Sequence, residues 1–293
     1  MSLWNKTFGP MLLKEIDKPF NSNDYLYEIK FDGIRALIFV SESTFKIMSR
    51  NKIDITYLYP ELKEIQKNIK NKIILDGEIV CFNNNKPSFS KLQERSHIKD
   101  KNKIKEMCLN NPVTYVGFDI LYYDEDLTNL SLIDRKEKLN TLKENDYFFI
   151  SKVYKKGIDL FNKIKKLDLE GIIAKKKDSV YQINTRSFDW IKIKNLKVED
   201  FIVGGYEIKK GDYISLLLGE LKNKKLYFVG KASLTKSNSL YNKVVNSKEI
   251  SSPFVDYNKR AIYIKPNLKV KIKYLERTKE NHLRQPVIKK EKI

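Results

Sequence analysis

Several segments of this chain are apolar enough to form buried β-strands, yet each carries charged residues. Ile73–Phe82 reads IILDGEIVCF and contains Asp76 and Glu78, and Val113–Tyr123 contains one acid, Asp119. An unpaired charge inside a protein is costly, so such charges must pair with one another or bind a ligand. The pattern therefore indicates either an internal network of salt bridges or a shared ligand site.

The hexapeptide KFDGIR, Lys30 to Arg35, lies between two further strand-like runs, Tyr25–Ile29 and Ala36–Val40. A lysine is a nucleophile only when it is deprotonated, which requires dry or strongly cationic surroundings. By itself the motif is weak, because Lys-x-Asp-Gly also arises in surface turns of lysine-rich chains. Its interpretation depends on the partners that the rest of the chain supplies.

Two lysines and two glutamates are the candidate partners of Lys30. Lys192 and Lys194 alternate on the strand-like run WIKIK, so both side chains point to one face. Two ammonium groups there would bind phosphate and lower the pKa of Lys30. Glu78 and Glu170 supply carboxylates of the kind that Mg²⁺ prefers together with phosphates.

A base-binding pocket is indicated by Phe118 and Glu28. Phe118 offers an aromatic face to a purine, although plain core packing explains a buried phenylalanine equally well. Glu28 offers an acceptor for an exocyclic amino group. Without a ligand, the alternative is a set of structural salt bridges, for example between Arg35 and Glu78.

The charge balance favours a polyanionic partner. The chain has 57 lysines and arginines against 37 acidic residues, a formal charge of +20, which favours nucleic acid first and an anionic membrane surface second. A compositional bias towards Lys, Asn and Ile is the simpler explanation of part of this excess. No apolar run has the length of a bilayer span, and Cys81 and Cys108 are too few for a structural zinc site. We expect a soluble, cytoplasmic protein without a membrane partner and with reduced cysteines.

At 293 residues, two domains are expected. The first 24 residues resemble an arm, Pro60 begins a predicted helix, and Lys99–Lys105 is a basic surface run. Further helices are predicted at Ser88–Asp100, Leu132–Leu142 and Ile158–Leu167. After Lys197 the predicted strands are Val198–Ile208, Tyr213–Leu221, Lys225–Ala232, Ala261–Lys265 and Leu268–Leu275. Five short strands with one helical insertion favour a small barrel of the OB-fold type.

The motifs together resemble the covalent nucleotidyltransferase superfamily of DNA ligases, RNA ligases and mRNA capping enzymes. They are KFDGIR, SRN at Ser49–Asn51, LDGEIV at Leu75–Val80, VGFDILYYD at Val116–Asp124, EGIIAKK at Glu170–Lys176 and WIKIK at Trp190–Lys194. The stretches LYEIKFDGIRA, NTRSFDWIKIK and VGGYEIKKG resemble most the ATP-dependent ligase module of bacterial ligase D. The polymerase and nuclease modules of that family have no counterpart here, so the expectation is a ligase module alone.

The resemblance implies an α+β chain with two domains. Residues 1–198 would form a mixed α/β, ATP-grasp-like nucleotidyltransferase domain with antiparallel sheets, and residues 199–293 an OB-fold β-barrel. The implied activity is ATP-dependent sealing of 5′-phosphate/3′-hydroxyl nicks in double-stranded DNA, through a lysyl-AMP intermediate and a DNA-adenylate. The implied cofactors are ATP, carried as lysyl-AMP, and Mg²⁺ or Mn²⁺. The implied enzyme is a monomer that works in DNA repair, with Ku or other end-joining proteins as candidate partners.

The resemblance also implies a role for each matching residue. Lys30 would attack the α-phosphate of ATP, Asp32 would orient Lys30, and Lys192 and Lys194 would hold the α-phosphate. Arg35 and Arg50 would contact the ribose and the 5′-phosphate of the nick. The remaining nucleotide-binding positions are Glu28, Ile29, Glu78, Phe118, Glu170, Arg186 and Arg284, with Glu78 and Glu170 also as metal ligands.

One departure from the family concerns the C-terminal motif Arg-x-Asp-Lys, which orients the leaving pyrophosphate. This chain ends LRQPVIKKEKI and lacks that motif. Arg284, Lys289 and Lys290 are the candidates to replace it. Two alternatives to a DNA ligase remain, an RNA ligase or capping-type nucleotidyltransferase and a non-catalytic OB-type nucleic-acid binder in which Lys30 only contacts phosphate.

Overall fold

The computed structural model describes residues 2 to 289, and the chain divides into two compact units between Asn195 and Leu196. The first strand of the second unit starts at Lys197, so the predicted boundary after Val198 falls inside that strand. Each unit has its own core of buried apolar side chains. Within residues 2 to 289, no helix is long and apolar enough to cross a membrane.

The first unit is built from two sheets. Its strands are β1 Leu12–Glu15, β2 Tyr25–Ile29, β3 Ile34–Val40, β4 Phe45–Ser49, β5 Ile73–Asn83, β6 Lys86–Pro87, β7 Val113–Tyr123, β8 Glu125–Asp126, β9 Phe148–Ile150, β10 Gly171–Lys176 and β11 Arg186–Lys194. The smaller sheet has the order β1-β11-β10-β2, and the larger has the order β4-β3-β5-β7-β8 with β6 on β5 and β9 on β7. The predicted arm therefore contributes β1, which pairs with β11 in parallel.

Helices pack against both sheets. They are α1 Phe89–Ser96, α2 Lys101–Asn110, α3 Leu132–Leu139 and α4 Gly157–Leu167, with 3₁₀ helices at Leu3–Asn5, Thr56–Leu58 and Pro60–Asn68. Leu62, Leu92 and Ile104 bring the Pro60–Asn68 helix, α1 and α2 into the core of the larger sheet. Leu160 and Ile164 bring α4 onto the smaller sheet.

The prediction for Ser88–Asp100 as one helix is wrong. The helix α1 ends at Ser96, and α2 begins at Lys101, inside the run predicted to be a basic surface. The Asp100 side chain accepts a hydrogen bond of 2.9 Å from the Lys103 N–H and so starts α2. The sequence pattern missed α2 because Ile104 is its one fully buried residue, which leaves almost no apolar periodicity.

The second unit is a five-stranded antiparallel sheet with the order β14-β13-β12-β15-β16. Its elements are β12 Lys197–Ile208, β13 Tyr213–Lys222, β14 Lys225–Thr235, α5 Leu240–Val245, β15 Ile262–Tyr274 and β16 Val287–Ile288. The predicted strands Ala261–Lys265 and Leu268–Leu275 are one strand, β15. Its pairing with β12 is irregular around Pro266, because Tyr263 faces Gly205 and Leu268 faces Val203. This bulge accommodates a proline, which has no N–H to donate.

Candidate active site

Strand alternation places the predicted site residues on one face of the smaller sheet. Ile173 of β10 lies opposite both Glu28 and Lys192, and Lys175 lies opposite Trp190. Residues paired in this way point to the same side, and so do residues two apart along a strand. Glu28, Lys30, Lys175, Lys192 and Lys194 therefore share a face, while the intervening apolar residues pack against α4.

This face looks towards the larger sheet. Phe118 of β7 and Trp190 of β11 meet edge to face, with ring centroids 6.2 Å apart. On the larger sheet, Arg35 is paired with Glu78 and Leu37 with Asp76, so the charged residues of β3 and β5 also share a side. The charged faces of the two sheets are thus turned towards each other.

Lys30 follows β2 directly and is held by both backbone and side chain. Its N–H donates to the Gly171 carbonyl at 3.0 Å, and its Nζ lies 2.6 Å from Glu170 Oε2. The lysine side chain is 20% exposed and the glutamate side chain 4%, so the amine is open to a ligand while its partner is not.

The charge state of Lys30 differs from the prediction. Burial alone would lower its pKa, but Glu170, Glu78 and then Asp32 act in the opposite direction and raise the pKa above its usual value. The expectation that Lys192 and Lys194 lower this pKa is therefore wrong for the ligand-free protein. A nearby carboxylate stabilises the ammonium form, so Lys30 becomes a nucleophile only after this pairing is offset.

Arg35 binds Asp76 through two hydrogen bonds. Arg35 Nε lies 3.0 Å from Asp76 Oδ1, and Nη2 lies 2.6 Å from Oδ2. The sequence suggested a salt bridge between Arg35 and Glu78, which is the residue opposite Arg35 on the neighbouring strand. In the structure, Arg35 pairs with Asp76 instead. A guanidinium fork matches both oxygens of one carboxylate, and that geometry favours the diagonal neighbour.

The positive charges near Glu78 do not compensate for the burial of its carboxyl group. Burial raises its pKa to about 8, although Lys30 and Arg35 act to lower it, and Glu170 and Asp76 add to the rise. Two carboxyl groups near one amine thus compete for one positive charge.

These features fit a divalent cation. Glu78 and Glu170 would hold Mg²⁺ or Mn²⁺, since carboxylate oxygens completed by phosphate and water are the usual ligands. When bound, the ion would neutralise phosphate charge. Among the described residues, no three or more acidic, cysteine or histidine side chains lie close enough together to hold a metal ion. The role of Glu78 and Glu170 as metal ligands stays a prediction.

The high pKa of Glu78 predicts a pH-dependent effect on stability. Between its usual pKa of 4.5 and its folded value of about 8, the folded state binds more protons than the unfolded state, so stability falls as pH rises. Glu78→Gln removes this penalty. We expect the Tm of the variant to exceed the wild-type Tm by an amount that grows from pH 4.5 to pH 8 and then stays constant.

Thermal unfolding at several pH values, without divalent ions, measures this difference. The expected gain at pH 8 is on the order of 2–4 kcal/mol in free energy of unfolding, reduced where solvent reaches the carboxyl group. Glu94→Gln is the matched control, because Glu94 is exposed on α1. A gap in Tm that does not change with pH would contradict the assigned pKa.

The predicted base pocket is lined by a buried cluster of charges. Phe118 is 7% exposed, and Lys175 Nζ lies 4.3 Å from its ring centroid and 4.2 Å from that of Trp190. Glu28 is 1% exposed, and its Oε1 lies 2.6 Å from Lys136 Nζ, an ion pair without hydrogen-bond geometry. Lys175 donates to Glu28 Oε2 at 3.2 Å. The carboxylate is thus engaged by two lysines, and its recognition of a base stays a prediction.

Lys192 and Lys194 are held by a carboxylate that the sequence did not indicate. Glu15 of β1 lies 2.9 Å from Lys192 Nζ and 3.5 Å from Lys194 Nζ, by the same carboxylate oxygen. Burial acts to raise the pKa of Glu15, but the two lysines outweigh it and lower the pKa below its usual value. Both ammonium groups point to one place, as the alternation predicted.

The other predicted residues of the first unit lie outside this group of charged side chains or beside it. Arg186 begins β11 and its guanidinium donates to the Leu13 carbonyl. The backbone N–H of Arg50 donates to the Arg35 carbonyl at 3.2 Å, and its side chain is exposed. Asp32 is close enough to raise the pKa of Lys30. Ile29 packs against the core beneath α4, so its contribution to nucleotide binding would come from its backbone.

The C-terminal candidates belong to the second unit. Arg284 Nη1 lies 2.9 Å from Glu276 Oε1. Lys289 is exposed, and its N–H donates to the Lys271 carbonyl at 2.8 Å. Lys290 lies outside the described residues. The choice among these three for the pyrophosphate role stays a prediction.

Comparison with known proteins decides the family. Residues 10–194 match the family described as ATP dependent DNA ligase domain, and residues 209–292 match the ATP dependent DNA ligase C terminal region. The chain belongs to the ATP-dependent DNA ligase family. The predicted fold, a nucleotidyltransferase domain followed by an OB-fold domain, and the predicted enzyme class are both confirmed.

The relatives of this ligase differ in the share of their own length that matches it. The SPbeta prophage-derived DNA ligase-like protein LigB of Bacillus subtilis (strain 168) is 30% identical, over 95% of this chain and 96% of that protein. The multifunctional non-homologous end joining protein LigD of Mycolicibacterium smegmatis is 27% identical, over 95% of this chain and 37% of that protein. A solved structure of mycobacterial DNA ligase D complexed with ATP and MES is 27% identical with a TM-score of 0.62, and the match covers 100% of this chain and 97% of that one.

Proposed function

We propose that this ligase seals nicks with a 5′-phosphate and a 3′-hydroxyl in double-stranded DNA through a lysyl-AMP intermediate at Lys30. The observation that carries the proposal is the placement of Lys30. Its amine lies 2.6 Å from a buried Glu170, on the same sheet face as Lys192 and Lys194. An amine, two phosphate-binding cations and a carboxylate suited to a metal are the groups that nucleotidyl transfer needs.

In the first step, Lys30 Nζ releases its proton to water, and its lone pair bonds to the α-phosphorus of ATP. The bond from that phosphorus to the bridging oxygen breaks, and pyrophosphate leaves with the electron pair. Lys192 and Lys194 release Glu15 and hold the α-phosphate, which is thus kept in line for attack. The neighbouring carboxylates raise the pKa of Lys30 in the ligand-free protein, so the amine must lose its proton before it can attack.

In the later steps, AMP passes to the 5′-phosphate of the nick, and the 3′-hydroxyl then displaces AMP and closes the strand. We assign Arg35 and Arg50 to the ribose and the 5′-phosphate, and Phe118 to the adenine ring. The excess of basic residues in the chain supports a nucleic-acid duplex as the substrate.

The cellular setting is also a proposal. Relatives of this ligase are named as non-homologous end joining proteins, which supports a role in DNA repair. A partner such as Ku would then bring this ligase to broken ends. The chain would act as a monomer in the cytoplasm, where the nucleoid supplies its substrate.

Incubation with radiolabelled ATP or GTP and magnesium tests the proposal directly. We expect label from α-labelled ATP to become covalently attached, and then to move to a nicked DNA duplex. Covalent labelling from GTP alone would indicate a capping-type enzyme. Transfer to nicked RNA in preference to DNA would indicate an RNA ligase, and no covalent label with any nucleotide would leave the non-catalytic binder.

Glu170 provides a test of the metal and phosphate chemistry. We expect Glu170→Gln to slow self-adenylation by at least two orders of magnitude, the scale of losing one preorganised charge at a transition state. The Tm should change little, because Lys30 is partly exposed and can be hydrated once its partner is neutral. A large fall in Tm with a modest loss of rate would instead support a structural salt bridge.

Arg284 provides a test of the altered C-terminal motif. We expect Arg284→Ala to slow the reaction with ATP and to leave sealing of a pre-adenylated nick nearly unchanged, since pyrophosphate takes part in the first step alone. The two rates are measured in single-turnover assays. Lys289→Ala is the companion variant. Equal slowing of both steps by Arg284→Ala would show that this arginine binds DNA or stabilises its own unit.

A further inference from the structure

A buried tyrosine lies directly behind the Arg35–Asp76 pair. Tyr181 belongs to the segment between β10 and β11, and its hydroxyl lies 2.6 Å from Asp76 Oδ2. Tyr181 is 4% exposed and packs edge to face on Trp190, with ring centroids 5.6 Å apart. The motifs recognised in the sequence do not include this residue.

The direction of the hydrogen bonds is settled by a backbone group. The Met11 N–H donates to Tyr181 Oη at 3.0 Å, so the phenol oxygen is an acceptor from that side. A hydroxyl group has one hydrogen, and the carboxylate of Asp76 can only accept, so the Tyr181 O–H donates to Asp76. Burial and then Asp76 raise the pKa of Tyr181 well above its usual value, which keeps the hydroxyl protonated.

Asp76 is in turn held from two sides. Its Oδ2 accepts from Tyr181 and from Arg35 Nη2, both at 2.6 Å, and its Oδ1 accepts from Arg35 Nε at 3.0 Å. Asp76 is fully buried and the Arg35 side chain is 10% exposed. Two nitrogens of the Arg35 guanidinium, Nε and Nη2, are thus hydrogen-bonded to Asp76. The third nitrogen, Nη1, lies on the other edge of the guanidinium and can donate to a ligand.

We propose that Tyr181 is a positioning residue for nick sealing, which orients the Arg35 guanidinium towards a phosphate or ribose through the carboxylate of Asp76. The chain of contacts runs from the Met11 N–H through Tyr181 and Asp76 to Arg35. The inference rests on the proposed role of Arg35 in binding the nucleotide or the 5′-phosphate. A guanidinium held at two nitrogens loses little further freedom when a ligand binds, and this preorganisation favours the transition state.

Tyr181→Phe removes the hydroxyl group and keeps the ring on Trp190. We expect single-turnover sealing of a nicked duplex to slow by about tenfold or more, because a hydrogen bond to a charged group is lost. The loss should appear in the maximal rate at saturating DNA and ATP. Tyr115→Phe is the matched control, since Tyr115 is fully buried in the same unit and its hydroxyl donates at 3.0 Å to the Ala36 carbonyl.

A double-mutant cycle separates positioning from a general structural role. In an Arg35→Ala background, Tyr181→Phe should cause no further loss of rate, because the group that it positions is gone. Thermal unfolding of all variants shows whether they fold, and we expect similar Tm decreases for Tyr181→Phe and Tyr115→Phe.

Three results would overturn the proposal alone: an unchanged maximal rate for Tyr181→Phe, an equal loss for Tyr115→Phe, or an equal loss in the Arg35→Ala background. Each of these requires that the wild-type protein labels with AMP and seals nicks. A wild-type protein that does neither would overturn the proposed function, and this inference with it.

Discussion

Lys30→Ala is expected to abolish covalent AMP labelling and the ligation of an ordinary nick, while sealing of a nick that already carries 5′-AMP is partly retained. In the proposed mechanism, the amine at position 30 is the nucleophile of the first step and has no such role in the last. Lys30→Arg should fail in the same way, because a guanidinium stays protonated and cannot attack phosphorus. Labelling with α-labelled ATP and single-turnover sealing of both substrates measure these effects.

Lys163→Ala is the control for this experiment, since Lys163 is exposed on α4. It should label and seal at the wild-type rate. Persistent labelling of Lys30→Ala would show that another residue carries AMP. Loss of the last step as well would show that the ammonium group of Lys30 also takes part in sealing.

The second large effect is on stability. Asp119 and Arg135 are both fully buried and joined by two hydrogen bonds of 2.9 Å, and Arg135 also donates to the Leu130 and Ser179 carbonyls. Asp119→Ala leaves the guanidinium buried without its carboxylate, so we expect a loss of about 3–5 kcal/mol in free energy of unfolding. Urea-induced unfolding of the wild type and the variant measures this loss.

Two further variants test the cause of that loss. Asp159→Ala, at an exposed position on α4, should cost at most about 1 kcal/mol. Replacing both partners, Asp119→Leu with Arg135→Met, should be less destabilising than Asp119→Ala alone, because no unpaired charge remains. A double variant that is as unstable as Asp119→Ala would mean that packing around the pair, rather than its charge, dominates.

The sequence predicts those parts of the candidate site that depend on residues close together along the chain. The side chains of Lys192 and Lys194 share a face because strand alternation has a fixed period, and the structure brings both to Glu15. The same rule places Lys30 on that face. The acids in β5 and β7 were recognised because a charge inside an apolar strand requires a partner.

The partners themselves could not be predicted, because they depend on distances between elements far apart in sequence. Arg35 prefers Asp76 to its direct neighbour Glu78 because of how far its side chain reaches. Lys136 gives no signal in a lysine-rich helix, yet it lies 2.6 Å from Glu28. The raised pKa of Lys30 was missed for the same reason, since it depends on the contact with Glu170.

In the ligand-free protein, Glu15 already pairs with Lys192 and Lys194, the two lysines that we propose to hold the α-phosphate. A carboxylate fixed to the chain competes with any incoming anion at a high local concentration, so a single weakly bound anion such as chloride or sulfate gains little by displacing it. A triphosphate with several anchoring groups can displace it, because its other contacts compensate for the exchange. Competition with Glu15 would thus make Lys192 and Lys194 bind nucleotides in preference to the common small anions of the cell.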